Sequence, residues 1–305
     1  MFNEKLLPFS PIAISDKQWV TERLMNSGLM GCIYSFGNNF IWGKLYQLMI
    51  LDYNGFLISK SEYNGVTSYS FPIGHGDLKA VIQDLIADAC HRQVPFMMRG
   101  IEEGAAQAIQ NLMPSVFDFE TVRGDSDYIY SREKLTTLAG KKMQKKRNHI
   151  ARFKDNPNWS YEPITRSNIE ECRQMNADWI KKYADLADSG LQDESQAVNR
   201  AFNYYFDLGF EGGLLRRDGR VIAFTMGEPL NKDTYVVHIE KAYHDIQGAY
   251  PMMNQQFVTH CCQAYAYINR EEDANDEGLR KSKLSYYPEI LLTKYQATIK
   301  EKAAL

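Results

Sequence analysis

Apolar and polar residues follow two rhythms along the chain, one of period two and one with apolar residues three and four apart, and their succession predicts a series of strands and helices. In the first half, a strand near Phe9–Ile14 precedes a helix over Ser15–Asn26 and a second helical piece over Ser35–Trp42. Strands follow at Leu45–Asp52, Gly55–Ser61 and Thr67–Pro72. The first two join at Asn54-Gly55, a dipeptide that supplies the positive φ a tight hairpin needs. A helix over Asp77–Arg92, a strand at Pro95–Arg99, a helix over Glu102–Leu112 and strands at Phe117–Val122 and Tyr128–Ser131 complete this half.

The second half repeats the order. A strand at Trp159–Ile164 precedes helices over Ser167–Tyr183 and Glu194–Leu208, then strands at Gly213–Arg217, Val221–Glu228 and Thr234–Glu240, the first two turning at Asp218-Gly219. A helix over Tyr250–Ala264, a strand at Ala266–Asn269, a helix over Glu277–Tyr286 and a strand at Ile290–Ala297 close it. This order of elements resembles the GNAT acyltransferase fold. Two copies imply a mixed α/β (α+β) tandem GNAT, with an N-terminal domain over 1–131, a linker helix over 132–156 and a C-terminal domain over 157–305.

Composition agrees with globular folding. The 305 residues are 44% hydrophobic and 24% charged, enough to bury a core without disulfides or structural metal. No apolar run approaches the ~20 residues of a membrane span, and the start MFNEKLLPFSP lacks the basic and long apolar regions of a signal peptide. A cytoplasmic protein is expected. The five cysteines, Cys32, Cys90, Cys172, Cys261 and Cys262, form no CxxC pair, so neither a disulfide framework nor a metal site is indicated.

Net charge is only −3, but the basic residues are unevenly placed. From Lys134 to Lys154 there is no acidic residue, and Lys141, Lys142, Lys145, Lys146 and Arg147 crowd the middle of that stretch. Leu135, Leu138, Ala139, Met143, Ile150 and Phe153 fall at helical spacing and predict an inward stripe. Continuing that stripe one turn past Met143 reaches Lys146 and Arg147, which should therefore sit at the rim of the core. A run of like charge is either a solvated face or an anion site, for a cofactor phosphate or a tRNA backbone.

The second candidate site lies where the fourth and fifth strands of a GNAT splay apart. Simple alternation puts Val236, His238 and Glu240 on one face, opposite Tyr235, Val237, Ile239 and Lys241. A carboxylate beside a splay can act as a general base; the other reading of His238 and Glu240 is a structural ion pair. Asn269, Arg270, Glu271 and Asp273 follow the next strand directly, and Arg280, Lys283 and Tyr287 share helical spacing. These polar residues either orient a substrate or pin the helix with salt bridges. The loop that holds CoA pyrophosphate in GNAT enzymes corresponds to Asp245-Ile-Gln-Gly248-Ala-Tyr250, with an acid at its first position and a bulky Tyr at its last.

The segments YIYSREKLTTLAGKKMQKKRNHIARF (128–153), VVHIEKA (236–242), INREEDANDEGLRKSKLSYYP (268–288) and LTKY (292–295) resemble the family that contains the catalytic C-terminal domain of phosphatidylglycerol lysyltransferase, and its soluble members most closely. The resemblance implies a tandem GNAT akin to the Fem-type peptidyltransferases and transfer of an aminoacyl group from charged tRNA, a donor that needs no CoA loop. On this reading Glu240, with His238, is the base, and Tyr286 or Tyr287 protonates the leaving group. Lys241, Asn269, Arg270, Glu271, Asp273, Arg280 and Lys283 handle the substrate, while Lys141, Lys142, Lys145, Lys146 and Arg147 hold phosphate. The acceptor is a small molecule, a peptide or a lipid. Two alternatives stand beside this: an N-acyltransferase using acyl-CoA, and a non-catalytic RNA- or nucleotide-binding protein on the same scaffold. No cofactor is established by the sequence; CoA and aminoacyl-tRNA are the two candidate donor substrates.

Overall fold

The computed structural model describes residues 6–183 and 190–301. The chain forms two compact units. One takes the residues up to Asp127, Glu272–Glu277 and those from Leu291 onward; the other takes Tyr128–Glu271 and Gly278–Ile290. The basic linker therefore clusters with the second unit, and the C-terminal tail with the first.

The first sheet runs Ser10–Pro11, Met49–Tyr53, Phe56–Tyr63, Val66–Ser70, Met97–Ile101, Tyr295–Ile299, Phe117–Thr121, with Ile73–Gly74 paired on the third strand. The second runs Ile290–Leu292, Asp127–Ser131, Tyr267–Asn269, Thr234–Ala242, Arg220–Pro229, Glu211–Arg217, Trp159–Pro163. The closing strand of each sequence half thus sits in the other half's sheet. Tyr295–Ile299 inserts between two strands of the first unit, and Asp127–Ser131 pairs with Tyr267–Asn269 in the second.

The expected turns form for the expected reason. Asn54 and Gly55 (φ 51° and 85°) and Asp218 and Gly219 (φ 52° and 78°) both lie in the left-handed region, as two-residue hairpins matched to strand twist require. Three expected elements divide. The Glu194–Leu208 helix is Gly190–Asn203 plus Tyr205–Leu208, and the last strand is Ile290–Leu292 plus Tyr295–Ile299. The linker is a short helix Arg132–Thr137, a 3-10 turn Lys141–Met143 and a helix Gln144–Lys154. It breaks because Leu138 (φ 48°) caps the first helix in the left-handed conformation and Gly140 follows at φ 86°. The stripe otherwise holds: Leu135, Leu138, Met143, Ile150 and Phe153 are buried in the second unit's core, while Ala139 is exposed at the break. Each such burial contributes roughly 1.5–3 kcal/mol.

Candidate functional site in the second unit

The strand Thr234–Ala242 pairs in parallel with Tyr267–Asn269 only over residues 234–236. Past Val236 the two strands part, which leaves the middle of the longer strand facing a gap. On its other edge it carries a bulge. Its register with Arg220–Pro229 steps from Met226↔Ile239 to Gly227↔Val237, so His238 is the extra residue. Only glycine fits opposite, since a Cβ at Gly227 would lie 2.0 Å from the Val236 carbonyl oxygen.

The bulge corrects the expected faces. Tyr235, Val237 and Ala242 pack in the core with Met252, Met253 and Phe257 of the helix Ala249–Cys261, and Glu240 meets Asn254 of that same helix. Lys241 faces elsewhere: its Nζ pairs with Glu194 Oε2 at 2.7 Å and lies 4.2 Å from the Trp179 ring. An inserted residue inverts side-chain parity beyond it, so His238 and Glu240 are not a pair on one face. They belong to different clusters.

His238, with no exposed side-chain surface, is held between Glu271 Oε1 (2.8 Å from Nδ1) and Glu228 Oε1 (3.0 Å from Nε2). Burial works against its charge, but the hydrogen bonds and charges of the two glutamates outweigh it and raise the imidazole to about 9. An imidazolium clamped in this way ties two strands to the loop after Asn269. That loop is fixed in turn by the buried Asn269, whose Oδ1 accepts from the Glu271 backbone amide at 2.6 Å.

Glu240 is committed on both oxygens. Oε1 accepts from Arg270 Nη2 at 2.9 Å and Oε2 from Asn254 Nδ2 at 3.2 Å. The carboxylate fixes the amide orientation, because only the NH₂ end of Asn254 can face it favourably. Within this trio, Asn254 Oδ1 and Arg270 Nη1 are buried and make no hydrogen bond among the described residues. Buried groups are almost always paired, so an orphaned acceptor beside an orphaned donor points to a polar ligand.

Aromatic and basic groups surround this trio. Arg270 lies 4.9 Å from the Tyr286 ring centroid and 5.8 Å from that of Tyr130. Lys146 Nζ stands over Tyr286 at 3.7 Å. Burial, then the nearby Arg270 charge, pull the Lys146 amine down to about 8 against the opposing pull of Glu240. Burial raises the Tyr286 hydroxyl well above its ordinary value. The buried Lys283 donates to the Arg270 carbonyl at 2.6 Å, and Tyr130 donates to the Lys283 carbonyl at 2.8 Å.

The other expected residues divide. Lys141, Lys142 and Lys145 are exposed, with Lys142 Nζ 5.2 Å from the Tyr287 ring; Lys146 and Arg147 are half-buried. Arg147 donates to the carbonyls of Leu138 and Gly140, the latter at 2.8 Å. It closes the linker break and is not presented to a phosphate. Tyr287 does not share the helix face of Arg280 and Lys283, since the helix Glu277–Leu284 ends before it and it takes φ 53°. Arg280 is half-buried on that helix. Asp273 lies in the first unit, buried against Arg123 Nη1 at 3.2 Å, and does not join the Glu240 cluster.

At the expected CoA loop, Asp245 is held below its usual range by Lys182 (2.8 Å), which donates to it as Tyr183 does. The helix that follows presents few free amides. Ala249 N donates to Ile246, Met252 N to Gly248, and Pro251 has no N–H. A Cβ at Gly248 would lie 2.2 Å from the His149 carbonyl, so the linker helix packs directly on this turn. That is a poor cradle for a pyrophosphate.

Asn254 and Glu228 were missed from the sequence. Asn254 stands at the start of the polar run Asn254-Gln255-Gln256 in an otherwise apolar helix, and Glu228 near the end of an apolar strand, and neither position marks a site by spacing alone. The first unit holds a further unexpected cluster: the ligand atoms of Cys32, Asp127 and Glu272 lie within 4.8 Å of one another. A cation already stands there, since Lys294 Nζ is 2.8 Å from Asp127 Oδ1, 3.0 Å from Glu272 Oε2 and 3.7 Å from Cys32 Sγ. Among the described residues no helix is long and apolar enough to cross a membrane.

Residues 27–298 match the family described as phosphatidylglycerol lysyltransferase, C-terminal. A conserved protein of unknown function from Bacteroides thetaiotaomicron is 40% identical, with a TM-score of 0.93 over 97% of this chain and 100% of that one. L-PGS of Bacillus licheniformis, 17% identical, superposes with a TM-score of 0.66 over 98% of this chain and 95% of that one, which shows a shared fold. An uncharacterised protein of Mycoplasmoides gallisepticum is 26% identical over 188 residues, 59% of this chain and 59% of the relative's length. The fold is a tandem GNAT, and family and fold together suggest an acyltransferase of the GNAT and Fem type.

Proposed function

The chain belongs to the phosphatidylglycerol lysyltransferase C-terminal family, and from that premise we propose that it moves an aminoacyl group from the 3′ end of a charged tRNA to an amine or hydroxyl acceptor. The observation that carries this reading is the orphaned pair beside Glu240, Asn254 Oδ1 as acceptor and Arg270 Nη1 as donor. An aminoacyl ester matches both: its ammonium donates to Asn254 with the Glu240 charge close by, and its carbonyl accepts from Arg270. A donor aimed at that carbonyl also stabilises the oxyanion that develops as the acceptor adds.

The exposed Lys141, Lys142 and Lys145 offer charge to a polyanion, as recognition of a tRNA backbone requires. The crowded turn at Gly248 and the paired Asp245 argue against pyrophosphate, and so against acyl-CoA. Glu240 acts here by orienting Arg270 and Asn254.

Thermal-shift measurements with charged tRNA, uncharged tRNA and acetyl-CoA at two salt concentrations test the proposal, because any ligand that prefers the native state raises its melting temperature. The expected result is stabilisation by charged tRNA, weakened by salt and reduced in Asn254→Leu, with no shift from acetyl-CoA. A shift from acetyl-CoA alone would make this an acyl-CoA enzyme. Equal shifts from charged and uncharged tRNA, both unaltered in Asn254→Leu, would make it an RNA-binding protein without an aminoacyl pocket.

A further inference from the structure

We infer that Lys146 is the base of this transfer, taking the proton from the attacking amine or hydroxyl as that group adds to the ester carbonyl; the inference rests on the aminoacyl-transfer reading above. Sequence spacing offered Glu240 for this task, but both of its oxygens already accept hydrogen bonds, from Arg270 and Asn254. Neither is turned toward an incoming nucleophile. Lys146 differs from the lysines around it. Lys141, Lys142 and Lys145 are exposed, whereas Lys146 is half-buried, with Nζ 3.7 Å from the Tyr286 ring centroid; Arg270, which carries the orphaned Nη1, lies against the same ring. The amine and the orphaned donor therefore flank one aromatic platform.

The groups facing Lys146 account for its basicity. Arg270 from the loop after Tyr267–Asn269 and Lys145 on its own helix disfavour a second positive charge, and Glu240 on the long strand favours it. The Tyr286 ring shields the amine from water. Burial tips the balance to about 8. His149 on the same helix is lowered by its burial and then by Lys146. At pH 7 about a tenth of Lys146 is then the free amine, against less than a hundredth for an ordinary lysine, and a base works best when its pKa lies close to the working pH.

The step balances without a further reactant. The acceptor's N–H or O–H proton passes to Lys146 Nζ as the new N–C or O–C bond forms. The C–O bond to the tRNA 3′ oxygen then breaks, and that oxygen takes the proton back from the Lys146 ammonium.

The test follows the loss of radiolabelled ester from bulk charged tRNA, with hydroxylamine as acceptor, between pH 6 and 9.5, alongside filter binding of the same tRNA. Wild type is expected to speed ester loss, its rate rising about tenfold per pH unit and levelling near pH 8. Lys146→Arg keeps a phosphate-binding cation but cannot take up a proton. It should bind tRNA within about twofold of wild type and transfer at least tenfold more slowly, toward the hundredfold typical of a lost base. If Lys146→Arg transfers less than tenfold more slowly, Lys146 is a phosphate ligand and the proposal is overturned while the aminoacyl reading survives. If wild type speeds no ester loss, that reading fails and the proposal falls with it. A second measurement needs no variant: acetic anhydride labelling of the wild-type chain, read by mass spectrometry, should show Lys146 reacting with a midpoint near pH 8. A profile like that of Lys141 and Lys145 overturns the proposal.

Discussion

His238→Gln is the most informative perturbation of the second unit. The imidazole is fully buried between two carboxylates and raised from 6.5 to about 9. At ~1.36 kcal/mol for each tenfold gain in proton affinity, that rise corresponds to about 3 kcal/mol of stability. The sign follows from linkage. Between pH 6.5 and 9 the folded state holds a proton that the unfolded chain has released, so stability falls as pH rises. The contribution is complete below 6.5 and gone above about 9. Glutamine keeps a polar side chain but removes the charge between the carboxylates. Hydrogen exchange of the segment Thr234–Ala242, compared between variant and wild type at each pH so that intrinsic exchange cancels, should therefore run roughly 100-fold faster in the variant at pH 6. By pH 9.5 that ratio should shrink at least tenfold. A ratio that stays the same from pH 6 to 9.5 would refute the reasoning and make His238 a neutral hydrogen-bonding residue.

Other consequences can be checked directly. Gly248→Ala drives a Cβ to 2.2 Å from the His149 carbonyl at φ 84°, and should cost about 2 kcal/mol or more, seen as a fall of several degrees in melting temperature; an unchanged value would mean the linker helix does not rest on this turn. Lys294→Met leaves Asp127 buried without its cation and should destabilise the first unit by about 3–5 kcal/mol in urea unfolding, with Asp127→Asn in the same chain restoring part of the loss. Replacing Lys141, Lys142 and Lys145 together by Gln should lower the log–log salt slope of tRNA binding by about 2–3, since each lysine releases about 0.7–0.9 of a counterion; an unaltered slope would remove this helix from the tRNA contact.

Much of this was legible before any coordinates. Hydrophobic period and the Asn-Gly and Asp-Gly turns mark nearly every element in order, because they are properties of neighbouring residues. The half-burial of Lys146 followed from extending the apolar stripe past Met143. Two features lay beyond such reasoning. Alternation cannot register an inserted residue, so the bulge at His238 separated residues that spacing had joined and sent Glu240 to Asn254. Asn254 itself sits between Met253 and Gln255 in a helix that otherwise reads as core packing. Strand partnership is also non-local: nothing near Tyr295–Ile299 announces that its neighbours are Met97–Ile101 and Phe117–Thr121.

That last pairing bears on how the protein is made. A ribosome delivers most residues of the first sheet before the second unit, yet the strand that belongs between Met97–Ile101 and Phe117–Thr121 emerges only after it. Until it arrives, both flanking strands hold open edges, the kind of surface that recruits foreign strands. The N-terminal unit must therefore wait through synthesis of the whole second unit before its sheet can close. A nascent chain stalled before Tyr295 would leave the sheet of the first unit unclosed.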